Sequence, residues 1–209
     1  MQVNTVKLGA NATNCYILHN SEEGIIIDPG SASEFEDIWD VMDPDKYNYK
    51  YIINTHAHFD HIGANSKLKQ KLEISIAVHE EEAEALEDPK LNSSLLLGKD
   101  ITSPSADITL SDGDEIKFGS GILSIYHTPG HSPGGIVIYS PQEKILFSGD
   151  TIFRGGVGRT DLPGGDSLQL ENSLQRIKKL FPSEVKVYPG HGEPTDLAEF
   201  FESVFPRIY

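Results

Sequence analysis

The sequence is poor in three features, and each absence excludes a class of protein. Its single cysteine, Cys15, leaves no intramolecular disulfide, so neither a disulfide scaffold nor a closed thiolate metal site is available. No apolar run approaches the roughly 18 residues of a membrane span, and nothing near Met1 resembles a secretory signal. We therefore expect a cytoplasmic protein that makes no membrane contact.

Positive charge is also scarce. The chain has 17 Lys and Arg against 32 Asp and Glu, a formal net charge of −15. A field of this sign repels a polyanion, so we predict no nucleic-acid partner. No Ser/Gly/Pro-rich linker divides the 209 residues, which predicts one domain over 1–209, as a monomer or a small homo-oligomer.

Short β-rich runs alternate with helical patterns in both halves of the chain. Strands are predicted for 3–8, 13–19, 24–28, 51–54, 75–78, 115–118, 122–127, 136–139, 144–147 and 185–188, and helices for 33–42, 64–72, 166–181 and from Pro194 onward. The acidic run 80–88 favours a solvated helix face. This order predicts an α/β fold, a four-layer αββα sandwich of two mixed β-sheets flanked by helices, with loops of both halves meeting at one edge.

The most informative segment is 55–61, which places three imidazoles and a carboxylate directly after an apolar strand. In an extended stretch, positions two apart project to one side, so His56, His58 and Asp60 can converge while His61 points elsewhere. That geometry suits two adjacent metal ions better than one. Imidazole and carboxylate are ligands for zinc and other divalent metals.

Three further candidate ligands, His131, Asp150 and His191, each follow a predicted strand. At the edge of a sandwich, all three would lie beside residues 56–61. For any one of them alone, an unrelated surface residue near a turn is the simpler interpretation. The whole set together favours an open, catalytic metal site.

The ordered set His56-Ala57-His58-Phe59-Asp60-His61, His131, Asp150 and His191 resembles the metallo-β-lactamase superfamily. The resemblance implies two divalent metal ions, Zn first and Fe or Mn as alternatives, with one ion bound by His56, His58 and His131, the other by Asp60, His61 and His191, and Asp150 as the bridge. It also implies that Asp60 and Asp150 are catalytic together with a metal-bound hydroxide.

Two further segments indicate a subgroup within this superfamily. Small hydroxyacylglutathione hydrolases, relatives of glyoxalase II, are similar in Gly149-Asp150-Thr151-Ile152-Phe153 and in residues 158–165. This similarity implies hydrolysis of small thioesters such as S-lactoylglutathione. Only residues 192–209 follow His191, so we expect no C-terminal helical domain of the kind that contacts glutathione in larger glyoxalase II enzymes.

The chemistry of a zinc site also suits a thioester. Zinc lowers the pKa of bound water to about 7, which supplies a nucleophile at neutral pH, and a thiol with a pKa near 8.5 leaves readily as thiolate.

Two alternatives within the superfamily stay open. Iron persulfide dioxygenases resemble this chain in Gly158-Arg159-Thr160-Asp161, and in that case His56, His131 and Asp150 would hold a single iron. A lactonase or another small-ester hydrolase would use the same nucleophile and differ only in its pocket.

A few residues outside this set have two interpretations each. Arg154 and Arg159 can clamp a substrate carboxylate, or Arg159 can form a local ion pair with Asp161. Asp28 is either an ordinary turn residue or an acceptor that holds a ligand histidine. The remaining histidines, at positions 19, 79 and 127, are predicted to be structural.

Overall fold

The computed structural model describes residues 1–208, which form two mixed six-stranded sheets, a short hairpin and flanking helices. The first sheet has the order β1-β2-β3-β4-β5-β6, with the first three strands antiparallel and the last four parallel to one another. Its strands are β1 (Gln2–Leu8), β2 (Thr13–His19), β3 (Glu23–Ile27), β4 (Asn48–Ile53), β5 (Ser75–His79) and β6 (Ile108–Leu110).

The second sheet has the order β14-β13-β10-β9-β8-β7 and contains one parallel pair, β10 with β13. Its strands are β7 (Glu115–Phe118), β8 (Gly121–His127), β9 (Ile136–Ser140), β10 (Ile145–Gly149), β13 (Lys186–Pro189) and β14 (Thr195–Asp196). Between β10 and β13 the chain forms the hairpin of β11 (Ile152–Phe153) and β12 (Gly156–Val157).

Helices cover the outer face of each sheet. They are α1 (Phe35–Met42), α2 (Phe59–Ile62), α3 (Asn65–Leu72), α4 (Ser167–Leu180) and α5 (Leu197–Glu199), with short 3₁₀ and π turns elsewhere. Helices α1 and α3 pack Ile38 and Leu68 against the first sheet, and α4 packs Leu174 against the second. The predicted αββα sandwich of two mixed sheets is confirmed.

The middle of the sandwich is an apolar layer shared by the two sheets. Along β3, Ile25 and Ile27 face the second sheet, whereas Ile26 between them faces the helices. Side chains on both faces of this strand are fully buried, as expected for a strand covered on each side. Residues from both halves of the chain form this apolar layer. That residues 1–209 form a single domain stays a prediction.

Strand direction decides where the polar loops meet. Strands β3 and β4 are parallel, so the segments that follow Ile27 and Ile53 emerge at one edge of the first sheet. Strands β10 and β13 are parallel too, so the residues after Gly149 and Pro189 emerge together from the second sheet. The candidate ligands therefore lie where the two sheets present these ends to each other.

The sequence patterns do not predict β6, β11, β12 or α2, and the structure differs from the expected elements in two other places. The acidic run 80–88 forms 3₁₀ turns at Glu80–Glu82 and Glu84–Leu86 instead of one helix, and Glu82 is buried within it. The chain after Pro194 does not enter a helix at once, because it first pairs with β13 as β14 and then forms only short helical turns up to residue 207.

Within residues 1–208, no helix combines the length and the apolar character needed to cross a bilayer. The cytoplasmic location and the absence of membrane contact stay predictions.

Candidate metal centre

Three histidines from two loops form a first cluster. Ring nitrogens of His56, His58 and His131 lie within 4.8 Å of one another, and all three residues are buried. The shortest approach is 2.9 Å, between His58 Nδ1 and His131 Nε2. The loop after β4 and the loop after β8 thus meet at this point.

A second cluster lies beside the first. Asp60, His61 and His191 also present atoms within 4.8 Å of one another. His191 Nε2 is 3.4 Å from His61 Nε2 and 3.5 Å from Asp60 Oδ2. The expectation that residues 56–60 stay extended, with His61 pointing elsewhere, is wrong, because the chain turns into α2 at Phe59 and brings Asp60 and His61 to one side.

Asp150 lies between the two clusters. Its Oδ2 is 3.5 Å from His131 Nε2 and 3.5 Å from His191 Nε2, while its Oδ1 is 3.5 Å from His61 Nε2. One carboxylate therefore contacts both clusters, and the sequence-predicted ligands are all brought together at one edge of the sandwich.

Hydrogen bonds orient the rings of His131 and His191 so that the lone pair of each Nε2 points toward Asp150. His131 Nδ1 is 2.8 Å from the Arg159 carbonyl oxygen, and His191 Nδ1 is 3.0 Å from the Asn11 carbonyl oxygen. A carbonyl oxygen can only accept a hydrogen bond, so each Nδ1 carries the proton and donates it. Nε2 is left as a bare donor atom for a cation, which is the usual orientation of metal-binding histidines.

Asp28 and Thr55 give His56 the same orientation, and Asp28 also forms an ion-pair contact with His61. The Thr55 hydroxyl donates to Asp28 Oδ2 at 2.6 Å and so accepts from His56 Nδ1 at 3.0 Å. His61 Nδ1 lies 3.0 Å from Asp28 Oδ2. His56 Nε2 is buried and has no hydrogen-bond partner among the described residues. Because an unpaired buried nitrogen is costly, these residues fit a bound divalent cation.

The charges of the cluster also favour a cation. Burial and the surrounding imidazoles lower the pKa of His56, and burial together with His131 lowers the pKa of His58 to about 3, so both rings are neutral. Burial opposes charge on His61, but Asp150 and Asp28 outweigh it and raise the pKa of that ring to about 10. In spite of burial, His61 holds the pKa of Asp150 far below its ordinary value. The carboxylates thus stabilise positive charge at this point.

Residues 8–191 match the sequence profile of the metallo-beta-lactamase superfamily. The chain belongs to this superfamily. The fold of this superfamily binds divalent metals, and the clustered imidazoles and carboxylates of this chain fit such a site. The resemblance inferred from the histidine motif is confirmed at this level.

Individual relatives cover nearly the whole chain. The probable metallo-hydrolase YqgX of Bacillus subtilis is 35% identical over 198 residues, which are 94% of this chain and 93% of the relative. Hydroxyacylglutathione hydrolase GloC of Haemophilus influenzae is 31% identical over 208 residues, 95% of this chain and 94% of the relative.

Solved structures give the same result. The BLEG-1 B3 metallo-beta-lactamase superposes with a TM-score of 0.88 at 38% identity, covering 96% of this chain and 97% of that one. TTHA1623 in a di-iron-bound form superposes with a TM-score of 0.85 at 35% identity, covering 97% and 99%.

Two glycines that motif reasoning did not identify as functional leave room for the cluster. A Cβ atom on Gly190 would lie 2.1 Å from Asp150 Oδ1, and one on Gly158 would lie 2.0 Å from the Asp150 carbonyl oxygen and 2.8 Å from His131 Nδ1. None of these three separations is sterically allowed. The absence of a side chain at both positions therefore lets Asp150 and His131 occupy their places.

Glu82 is a further functional position that the sequence did not reveal. Its Oε2 accepts from the Ala57 amide at 2.8 Å and its Oε1 accepts from the Gly134 amide at 2.9 Å. Ala57 lies between His56 and His58, and Gly134 lies in the loop of His131. The buried carboxylate thus ties together the two loops of the first cluster.

We expect Glu82→Gln to lower the free energy of unfolding by about 1–3 kcal/mol, because the amide group turns one of its N–H donors toward a backbone N–H donor. Urea unfolding measures this change. The matched control is Glu81→Gln in the same acidic run, which is exposed and should change stability by less than about 0.5 kcal/mol. Equal stability of the Glu82→Gln variant and the wild type would show that the two hydrogen bonds contribute nothing.

We expect Asp28→Asn to lower metal affinity or turnover about 10-fold to 100-fold, the usual effect of removing a partner of metal-binding histidines. The substitution keeps the backbone unstrained, because Asp28 has φ +50° and Asn tolerates that region. Asp43→Asn is the control, since Asp43 also has φ +50° but is exposed at the end of α1. Unchanged metal content and turnover in Asp28→Asn would make this aspartate an ordinary turn residue.

The two candidate substrate-binding arginines lie in ion pairs. Arg159 binds Asp161 with two hydrogen bonds, 2.6 Å from Nε and 2.7 Å from a terminal nitrogen, which is the local pair considered from the sequence. Arg154 Nε is 3.8 Å from Glu199. A role of either arginine in substrate binding stays a prediction.

Proposed function

We propose that the protein uses two divalent metal ions, zinc first among the candidates, to hydrolyse small thioesters. The observation that carries this proposal is the convergence of imidazoles whose Nδ1 atoms are held by acceptors and whose Nε2 atoms face a shared carboxylate. The proposed ligands are His56, His58 and His131 for one ion, Asp60, His61 and His191 for the other, and Asp150 for both.

A cation in this donor set acts as a Lewis acid and lowers the pKa of bound water to about 7. The chain's own part is to fix the donor atoms. Asp60 Oδ2 accepts from Asn11 Nδ2 at 2.9 Å and from the Thr13 hydroxyl at 3.3 Å, which sets the rotation of that carboxylate. We assign Asp60 and Asp150 as the catalytic carboxylates because both line the cavity beside the metal centre.

A thioester suits this site because its leaving group needs little help. A thiol with a pKa near 8.5 departs as thiolate, so a strong general acid is unnecessary. His58, whose pKa is lowered to about 3, is neutral and is no proton donor at neutral pH. The similarity to hydroxyacylglutathione hydrolase GloC supports S-lactoylglutathione and related hydroxyacyl thioesters as substrates.

The test compares three reactions on one preparation that is stripped by a chelator and reloaded with Zn²⁺ or Fe²⁺. Thiol release from S-lactoylglutathione, oxygen consumption with glutathione persulfide, and lactone hydrolysis are measured in parallel. We expect metal-dependent thiol release and no oxygen consumption. Oxygen consumption without thiol release would instead assign a persulfide dioxygenase, and turnover of the lactone alone would assign a lactonase.

A further inference from the structure

A cavity of about 750 Å³ opens beside the metal centre. His58, Asp150 and His191 line it together with a set of apolar side chains that no ligand role explains. These apolar residues are Phe59, Leu96, Leu97, Phe153, Val157 and Leu162. We call them the apolar wall.

Part of the apolar wall is open to solvent. Leu96 and Leu97 are 64% and 59% exposed, on the 3₁₀ turn Ser94–Leu97. Scattered exposed leucines are ordinary, but neighbouring ones at the mouth of a cavity mark a binding surface. An apolar group in the cavity would remove them from water.

The turn that carries Leu96 and Leu97 is hydrogen-bonded to the loop that contains His58. The Phe59 amide, one residue after His58, donates to the Asn92 carbonyl oxygen at 3.0 Å. The buried Asn92 side chain accepts from the Ser94 amide at 3.0 Å and donates to the Ile101 carbonyl oxygen at 2.8 Å. The apolar wall therefore has a fixed position relative to the metal centre.

Cationic side chains are scarce in the cavity. Among the described residues that line it, Arg159 is the one Lys or Arg, and its guanidinium is held by Asp161. The part of the lining away from the metal centre therefore offers apolar contact and no free cationic side chain.

We propose that the apolar wall binds an alkyl acyl chain, so that the preferred substrates are thioesters of acyl groups longer than lactate. This inference rests on the proposed thioester hydrolysis. Leu96 and Leu97 are its specificity-determining residues. Each methylene that the wall buries fully should raise kcat/KM by about fourfold, mainly through a lower KM, because binding to the chain is equal in ground state and transition state.

The experiment measures kcat and KM for acetyl, butyryl, hexanoyl and octanoyl thioesters of N-acetylcysteamine, with S-lactoylglutathione alongside. The wild type should show KM falling along the series while kcat stays level. The double variant Leu96→Ser/Leu97→Ser should lose most of this dependence on chain length. Leu95→Ser should retain it, because Leu95 is exposed on the same turn but is not part of the cavity lining.

Each other outcome overturns a definite statement. Hydrolysis of the acetyl and lactoyl thioesters with no dependence on chain length would refute the apolar wall and leave the proposed function intact. Retention of the dependence by the double variant, with circular dichroism showing a native fold, would refute the role of the two leucines. Failure to hydrolyse any thioester would refute the proposed function and this inference with it.

Discussion

Asp150→Asn is expected to lower kcat/KM for thioester hydrolysis about 10³-fold. The variant keeps the shape of the side chain and removes its charge from a point 3.5 Å from Nε2 atoms of both clusters. A unit charge pair about 4 Å apart at an effective dielectric constant near 20 interacts by about 4 kcal/mol, which corresponds to about 10³ in rate or affinity. Steady-state kinetics with metal analysis of the same sample measure both effects.

A suitable control for this variant is Asp37→Asn, on the exposed face of α1. It removes the same charge from the protein far from the cluster and should leave kinetics and metal content unchanged. If Asp150→Asn retained wild-type turnover and metal content, the carboxylate would have no part in holding the cations.

Gly190→Ala is the second large expected effect, about 10²-fold in kcat/KM. The new methyl group would lie 2.1 Å from Asp150 Oδ1 and 2.9 Å from His61 Cε1, so the carboxylate must move. A displacement of about 1 Å in a catalytic arrangement is enough to cost about 10²-fold. Kinetics and metal titration of the folded variant measure the loss.

Gly155→Ala is the matched control for this substitution. Gly155 lies between β11 and β12, and a Cβ atom there meets nothing within 4 Å. Its activity should equal that of the wild type. Wild-type activity in Gly190→Ala as well would mean that the loop after β13 accommodates a side chain, against the close packing around Asp150.

The sequence predicted the sheets and the place where the loops meet because both depend on local signals. Apolar runs such as those around Ile26, Ile53 and Phe147 are strands that the sandwich buries. The rule that polar residues after such strands meet at an edge identified His131, Asp150 and His191 from sequence alone. The structure brings all three within reach of residues 56–61.

What the sequence could not predict depends on contacts between distant segments. Glu82 looks like any other residue of an acidic run, and its amide partners lie 25 and 52 positions away. The loop of His191 is held by the first sheet, where the Asn14 side chain donates to the Pro189 carbonyl oxygen at 2.9 Å. No periodicity within either segment indicates these pairings.

The direction of His61 was mispredicted for a local reason. An extended chain alternates its side chains every residue, whereas the turn of α2 places neighbours about 100° apart. The motif contains no helix cap that would reveal the change, since His58 at the N-cap makes no side-chain capping hydrogen bond. Residue types alone identified the members of the cluster but not their arrangement.

The central claim is that two cations occupy this edge of the sandwich, and metal counting on His191→Ala tests it most directly. His191 belongs to the second cluster only, so its removal should leave the first cluster intact. We predict two equivalents of metal in the active wild type, and about one equivalent with no measurable thioester hydrolysis in the variant. One equivalent or less in fully active wild type, or two equivalents retained by His191→Ala, would contradict the account.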